Sequence, residues 1–440
     1  MRVFRPLAVL AVTAVAASGC AGGEDDQRAP STTAASAIDH VALGLWDDGP
    51  CDESKEPLRV GFIATFESPV LSLKSFGSVL VASAAAFNER GGANGACIEV
   101  VTCDDKGTVD DALSCVRELS ERGVVATVND QGTAGAGEVA EALAAARIPR
   151  VATNVTNLDW GDPNAYPIDA GAVGATFLLP QGLMEEGARQ IALVRVNVAQ
   201  ASALTGFLDT IYAEDGLTFV ADLPVAAGTT DFTQFVLAAE DAGAQGVAMA
   251  LGPQEAEQVV QAAGQMASDL PIAVGFPHSK MAELGDAADD IVVVSSLPPA
   301  TSLEVPVYDA LRADLAAAGD PEIAPEHVEG FALRGWIGLY ALLRMIRDAG
   351  LTEFSGEAIT TMLRSARDVP MLGIFGDEDW TPDANHPGQF QRAGTNHWST
   401  YRWDPGAEAP AGLEGNIVRS SEFSFDETLC GSPLGGPEPC

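Results

Sequence analysis

Short apolar runs alternate with amphipathic stretches through most of this 440-residue chain. Residues 59–65 (RVGFIAT) are almost continuously apolar, the pattern of a strand buried on both faces of a parallel sheet. Phe76, Val79, Leu80, Ser83, Ala84 and Phe87 then recur at three- and four-residue spacing, which predicts a helix with one inward face. Gly91 and Gly92 stop that helix, because glycine tolerates the left-handed conformation that follows a helix end. A second strand is expected over 98–103. Thr108 with Asp111 three residues on resembles a capping box, and Ala112, Leu113, Val116 and Leu119 form the buried stripe of the helix it starts. Residues 124–129, 137–147 and 151–153 continue as strand, helix and strand. The rhythm restarts with strands over 191–197, 219–225, 246–251, 271–276 and 291–296, separated by helices over 201–214, 232–242 and 255–267. Two long helices are expected over 306–318 and 328–349.

Strands that alternate with helices predict right-handed crossovers and parallel, doubly wound α/β sheets. Nine buried strands are too many for one small sheet, so two lobes are the natural division. No repeat at fixed spacing accompanies that division.

Outside the body the pattern changes. Arg2 and Arg5 precede an apolar stretch over 7–17 that is too short to span a bilayer comfortably. It runs into Ala17, Ser18, Gly19 and Cys20, which resembles the bacterial lipobox, in which Cys20 receives the lipid and becomes the mature N-terminus. Residues 1–19 are thus expected to be a lipoprotein signal peptide. Residues 20–57, rich in Ala, Ser, Thr, Gly and Asp, are expected to form a lipidated flexible tether. Residues 405–440, rich in Gly, Pro and Glu, read as an extended C-terminal tail.

Charge removes one class of partner. The 24 basic and 62 acidic residues give a net charge of −38, which repels phosphate backbones, so nucleic acid is not expected to bind. Six cysteines remain after Cys20, an even number that suits an oxidising compartment. Six allow fifteen pairings. Cys103 and Cys115 flank a strand-to-helix turn. Cys51 and Cys97 each precede a strand, and adjacent strands would bring them together. Cys430 and Cys440 remain as a C-terminal pair. No Cys-x-x-Cys or close Cys/His cluster points to zinc instead.

At this level the body resembles the branched-chain amino acid-binding family of type I periplasmic binding proteins. The resemblance is carried by residues 58–62 (LRVGF), 85–95 (AAFNERGGANG), Cys103 to Asp105, 123–126 (GVVA), Asp231 with Phe232, and 246–252 (GVAMALG), in that order. It implies three crossovers between lobes, near Gly171, Pro298 and Val369. Lobe 1 would then comprise 58–170 and 299–369, and lobe 2 would comprise 171–298 and 370–404. It also implies hinge closure on a small-molecule ligand, delivery to the permease subunits of an ABC importer, and no cofactor. The same fold used as a sensor is the alternative. An enzyme is not expected, since no Gly-x-Ser-x-Gly, His-Glu-x-x-His or Gly-x-x-x-x-Gly-Lys motif occurs.

Ligands of open parallel sheets sit beyond the carboxyl ends of the strands, beside helix N-termini. In lobe 1 the candidates are therefore Glu67 and Ser68 after the first strand, Gln131, Gly132 and Thr133 after the third, and Asn154 and Thr156 after the fourth. In lobe 2 they are Asn197 and Gln200, Gln254, Phe276 and His278, with Trp380 as a further wall. The resemblance implies that hydroxyls and backbone N–H groups of the third and fourth loops hold a ligand carboxylate, with Thr133 and Thr156 as the nearest matches. The paired serines of the family are missing from the third loop. Residues 197–200 also lack the aromatic that amino acid-binding relatives carry after the first lobe 2 strand and the acid that meets the ligand ammonium, so Glu67 of the other lobe is the candidate to supply that charge. The acidic loop 377–383 has oxygen ligands suited to calcium but lacks the glycine and terminal glutamate of a complete EF-hand.

Overall fold

A computed structural model describes residues 38–66, 72–132, 134–153, 157–197, 201–202, 204–275, 281–328, 330–376, 394–395, 397–413 and 415–429. The signal segment, Cys20, Cys430, Cys440 and the acidic loop 377–383 lie outside these residues.

The first lobe opens with strand β1 (Leu58–Ala64), helix α1 (Lys74–Glu89), β2 (Ile98–Asp104), α2 (Val109–Glu121), β3 (Ala126–Val128), α3 (Ala136–Ala145), β4 (Arg150–Val151) and β5 (Ala165–Tyr166). Its five strands are all parallel, in the order β2-β1-β3-β4-β5. The second lobe follows with α4 (Gly171–Glu185), β6 (Gln190–Val196), α5 (Leu204–Ile211), β7 (Thr218–Val225), α6 (Thr233–Asp241), β8 (Gly246–Ala250), α7 (Pro253–Met266), β9 (Ile272–Val274) and β10 (Ile291–Ser295). The chain then returns: α8 (Tyr308–Ala317) and α9 (Arg334–Asp348) pack on α1, and α10 (Gly356–Ser365) packs on α9. It crosses a third time to add β11 (His397–Asp404), β12 (Asn416–Ser424) and the short α11 (Phe425–Leu429). The second sheet runs β12-β11-β10-β9-β8-β6-β7, parallel except for the last two strands, which are antiparallel. This is the two-lobed α/β architecture that the alternating pattern predicts, with the three crossovers that the resemblance implies.

Local chemistry fixes the element ends. Gly92, at φ 53°, donates its N–H to the Phe87 carbonyl and closes α1; a Cβ there would stand 2.1 Å from the Ala96 carbonyl oxygen. Thr108 caps α2 by accepting the Asp111 N–H at 3.1 Å. The reciprocal half of the box differs, because the Asp111 carboxylate takes the Thr108 hydroxyl rather than a backbone N–H. β3 and β4 are shorter than expected. Asn129 and Ala152 have φ of 52° and 54°, so the chain leaves strand geometry just where the loops begin.

Two expectations are corrected. Residues 38–57 do not belong to a tether. Leu45 and Trp46 are buried, and Trp46 stacks on Phe87 and Tyr340 at 5.5 and 6.1 Å, with the Arg347 guanidinium 4.6 Å from its ring centre. Burying so large an aromatic outweighs the polar composition around it. Of the expected tail 405–440, residues 416–429 are not extended tail either. β12 pairs along the whole of β11, and Phe425 stacks on Trp398 at 6.1 Å. Glu185 of α4 helps to hold this hairpin by accepting the hydroxyls of Thr400 and Ser421 at 2.8 and 2.7 Å.

The Cys51–Cys97 and Cys103–Cys115 disulfides are both formed. The first ties the N-terminal segment to the start of β2. The second clamps the turn between β2 and α2.

Candidate functional site

At the carboxyl edge of the first sheet, β1 lies between β2 and β3, so the loops after all three meet. Gln131 forms a bridge with Ala64 and donates its backbone N–H to the Ile63 carbonyl at 2.7 Å. Its side-chain amide donates to Asn129 Oδ1 at 2.8 Å. Gly132 is buried beside it. Across the edge, Thr65 Oγ1 donates to Asp105 Oδ1 at 2.6 Å, and the Gly107 N–H reaches the same oxygen at 2.8 Å. The other oxygen, Asp105 Oδ2, is buried without a hydrogen-bond partner among the described residues, 3.4 Å from where a Cβ on Gly132 would stand. An unpartnered buried acceptor is costly, and a donor brought by a ligand or a water would relieve it.

Beneath this edge lies a buried ionic cluster. Arg150, only 1% exposed, reaches Asp130 through Nε and Nη2 at 3.3 and 3.2 Å, Asp159 through Nη1 at 2.5 Å, and Asp162 at 3.5 Å. Nη2 also donates to Thr153 Oγ1 at 3.1 Å. Burial alone would weaken the guanidinium's hold on its proton. The Asp130 and Asp159 carboxylates more than offset that and keep its pKa above the ordinary arginine value. One arginine thus ties the loop after β3 to the loop after β4. The helix that follows β3 has Gly135, at φ 64°, as its N-cap and no side-chain cap among the described residues.

The second sheet repeats the device. Asn197 is exposed at the end of β6, where its N–H bonds the Val225 carbonyl. Arg195, two residues earlier within β6, is held by Asp222 in two bonds of 2.7 Å. Gln254 is exposed in the first turn of α7, which starts with Gly252 and Pro253 and also lacks a side-chain cap. A side chain at Gly252 would collide with Glu255, its Cβ 2.7 Å from the carboxylate. β6 and β8 are neighbours, so Asn197 and Gln254 share one edge.

Of the candidates, Gln131 and Gly132 thus come together in lobe 1, and Asn197 and Gln254 share the corresponding edge of lobe 2. Glu67, Ser68, Thr133, Asn154, Thr156, Gln200, Phe276, His278 and Trp380 lie outside the described residues. Sequence reasoning missed Asp105 and Arg150 as members of the site. A polar residue at the edge of a strand expected to be buried was the available signal for Arg150, and it does not by itself reveal the partners.

Comparison with known proteins agrees with this layout. A family model described as periplasmic binding protein matches residues 57–395. No curated protein matches the chain in sequence. Among solved structures, a leucine-, isoleucine-, valine-, threonine- and alanine-binding protein from Brucella ovis in a closed conformation superimposes with a TM-score of 0.64 at 16% identity, covering 86% of this chain and 97% of that one. A fatty acid ABC transporter substrate-binding protein from Thermomonospora curvata gives 0.69 at 18% identity, with coverage of 88% and 97%. An ABC transporter solute-binding protein from R. palustris in complex with 4-hydroxybenzoate gives 0.67 at 16% identity, with coverage of 84% and 97%. At these identities the likeness speaks for the fold.

Proposed function

The chain belongs to the periplasmic binding protein family, and from that premise we propose that it is an extracytoplasmic solute-binding lipoprotein, anchored through Cys20, that closes on a small polar metabolite and delivers it to the permease subunits of an ABC importer. Amino acids and amide-like compounds fit the reading best. One observation carries it: the parallel strands of each sheet present, at their carboxyl ends, a helix N-terminus with no side-chain cap among the described residues, beside a glutamine, α3 near Gln131 and α7 with Gln254. Such N-termini favour a carboxylate or carbonyl oxygen. Asp105 Oδ2 offers the opposite chemistry, an acceptor for an ammonium, amide or hydroxyl. A ligand with both kinds of group satisfies both. Hinge closure would remove it from water and strengthen each contact.

The test is a thermal-shift screen of the soluble chain against amino acids, amides, urea-like compounds and aromatic acids. A cognate solute at about 100 times its dissociation constant adds roughly 2.7 kcal/mol of stability. A screen in which no compound raises the melting temperature counts against solute binding. Anchoring is tested separately, since Cys20→Ala should move the protein from the membrane fraction to the soluble fraction.

A further inference from the structure

We propose that Asp169 is the pin of the hinge, a single buried carboxylate that holds two crossovers and the start of α9 together and so restricts how the lobes swing. The inference rests on reading the protein as a two-lobed binder.

Asp169 lies on the first crossover, between β5 and α4, and is fully buried. Its Oδ1 accepts the Gly171 N–H at 3.0 Å, which starts α4 in lobe 2. Its Oδ2 accepts from Arg334 Nη2 and Nε at 2.6 and 3.1 Å, and Arg334 is the first residue of α9 in lobe 1. The same oxygen takes the hydroxyl of Ser296, the residue that follows β10 on the second crossover. The third crossover reaches the same place by backbone. The Thr395 N–H bonds the Ile168 carbonyl at 2.9 Å. Gly394, at φ 77°, lies so close that a Cβ would stand 2.2 Å from the Ile168 carbonyl carbon and 2.4 Å from the Asp169 nitrogen. All three crossovers therefore converge on Ile168 and Asp169.

Arg334 is also linked, through Phe331, to the loop after β3. Its guanidinium lies 4.0 Å from the ring centre of Phe331, and the Phe331 carbonyl accepts the side-chain amide of Asn129 at 3.3 Å. Asn129 in turn receives Gln131 at 2.8 Å. The pin is thus joined by direct contacts to the loop after β3. A pair this deeply buried costs desolvation that its bonds must offset, and replacement by apolar groups is often close to neutral for stability. A hinge position is where such a pair would instead limit geometry.

The experiment measures the distance between nitroxide labels carried by a non-canonical residue in place of Val81 on α1 and of Leu237 on α6, both exposed, with the disulfides left intact. The full mature chain is used without ligand. The wild type should give one narrow distance distribution. Ser296→Ala, which frees the second crossover, should broaden it, and Asp169→Asn should broaden it to roughly twice the width. Asp169→Asn leaves Arg334 buried and unpaired and lowers the melting temperature. The double variant Asp169→Asn/Arg334→Met should recover that temperature while the distribution stays broad, which separates pinning from stability. Wild-type width in both Ser296→Ala and the double variant overturns the proposal, as does a wild type already as broad as its variants. Because no ligand enters the measurement, a pinned protein that binds no solute would refute the proposed function alone.

Discussion

The two lobes share a fold but are held together differently. In lobe 1 the half of the sheet beyond β1 is built from very short strands: β3 has three residues, and β4 and β5 have two each. Discrete cross-links make up for this. Two disulfides clamp the N-terminal segment and the turn after β2. Arg150 gathers Asp130 and Asp159, and Arg90 makes a bidentate pair with Asp314, which also accepts the Trp336 indole N–H at 2.8 Å. In lobe 2, β6 and β7 run for seven and eight residues, and α4 is laid directly on the sheet through Gly182, whose missing side chain leaves room for Val292 and Val294. Arg195, itself buried, pairs with the half-buried Asp222 between β6 and β7 at one edge of this sheet. The difference implies that lobe 1 is sensitive to charge and redox state, and lobe 2 to side-chain volume.

The largest effect that would break this contrast is in the arginine cluster. Arg150→Ala leaves Asp130 and Asp159 buried without their cation and should cost about 3–5 kcal/mol in urea denaturation. A loss under about 1 kcal/mol would show that the cluster is not a structural cross-link. Next, Cys51→Ser/Cys97→Ser opens a separation of 46 residues and should cost about 4 kcal/mol, against about 3 kcal/mol for Cys103→Ser/Cys115→Ser with its separation of 12. In a Cys430→Ser/Cys440→Ser background dithiothreitol should reproduce the combined loss, and it should have no effect once Cys51, Cys97, Cys103 and Cys115 are replaced as well.

In lobe 2 the matching test is volume. Gly182→Ala places a Cβ 2.8 Å from Val294 and 3.0 Å from Val292, and should cost about 1–3 kcal/mol from overpacking. The smallest effect is electrostatic. Burial raises the Asp290 carboxyl above its usual value, and Asp269 and Asp289 add to that, with Arg402 opposing. The folded chain therefore holds this proton more tightly than the unfolded chain. Stability should fall as pH rises from the ordinary aspartate value of 3.8 through the raised folded value. Asp290→Asn should thus stabilise slightly at neutral pH, and the gain should vanish in acid; a gain that persists at low pH would contradict the assignment.

How far the sequence could be read follows from the range of the forces involved. Parallel strands buried on both faces write themselves as apolar runs, so both sheets were legible, as were the α1 stop at Gly91 and Gly92 and the Thr108 cap, all local effects. The two disulfides could be read because their cysteines flank neighbouring strands or a single turn. Trp46 and β12 were not legible, since both lie in polar, Gly- and Pro-rich surroundings and are ordered by distant partners. The same holds for Arg90, which pairs with Asp314 at a separation of 224 residues, and for Arg334, which meets Asp169 at 165. The candidate loops were legible as positions after strands. The geometry around Asp105 was not, because it arises where three loops meet.

The central claim is that the facing carboxyl edges of the two sheets enclose a small molecule. Native mass spectrometry of the purified chain tests it most directly. The account expects a population heavier than the polypeptide by one small polar solute, lost on acid denaturation and restored by adding that solute back. A protein that carries no such mass, and gains none from any solute offered, would contradict it.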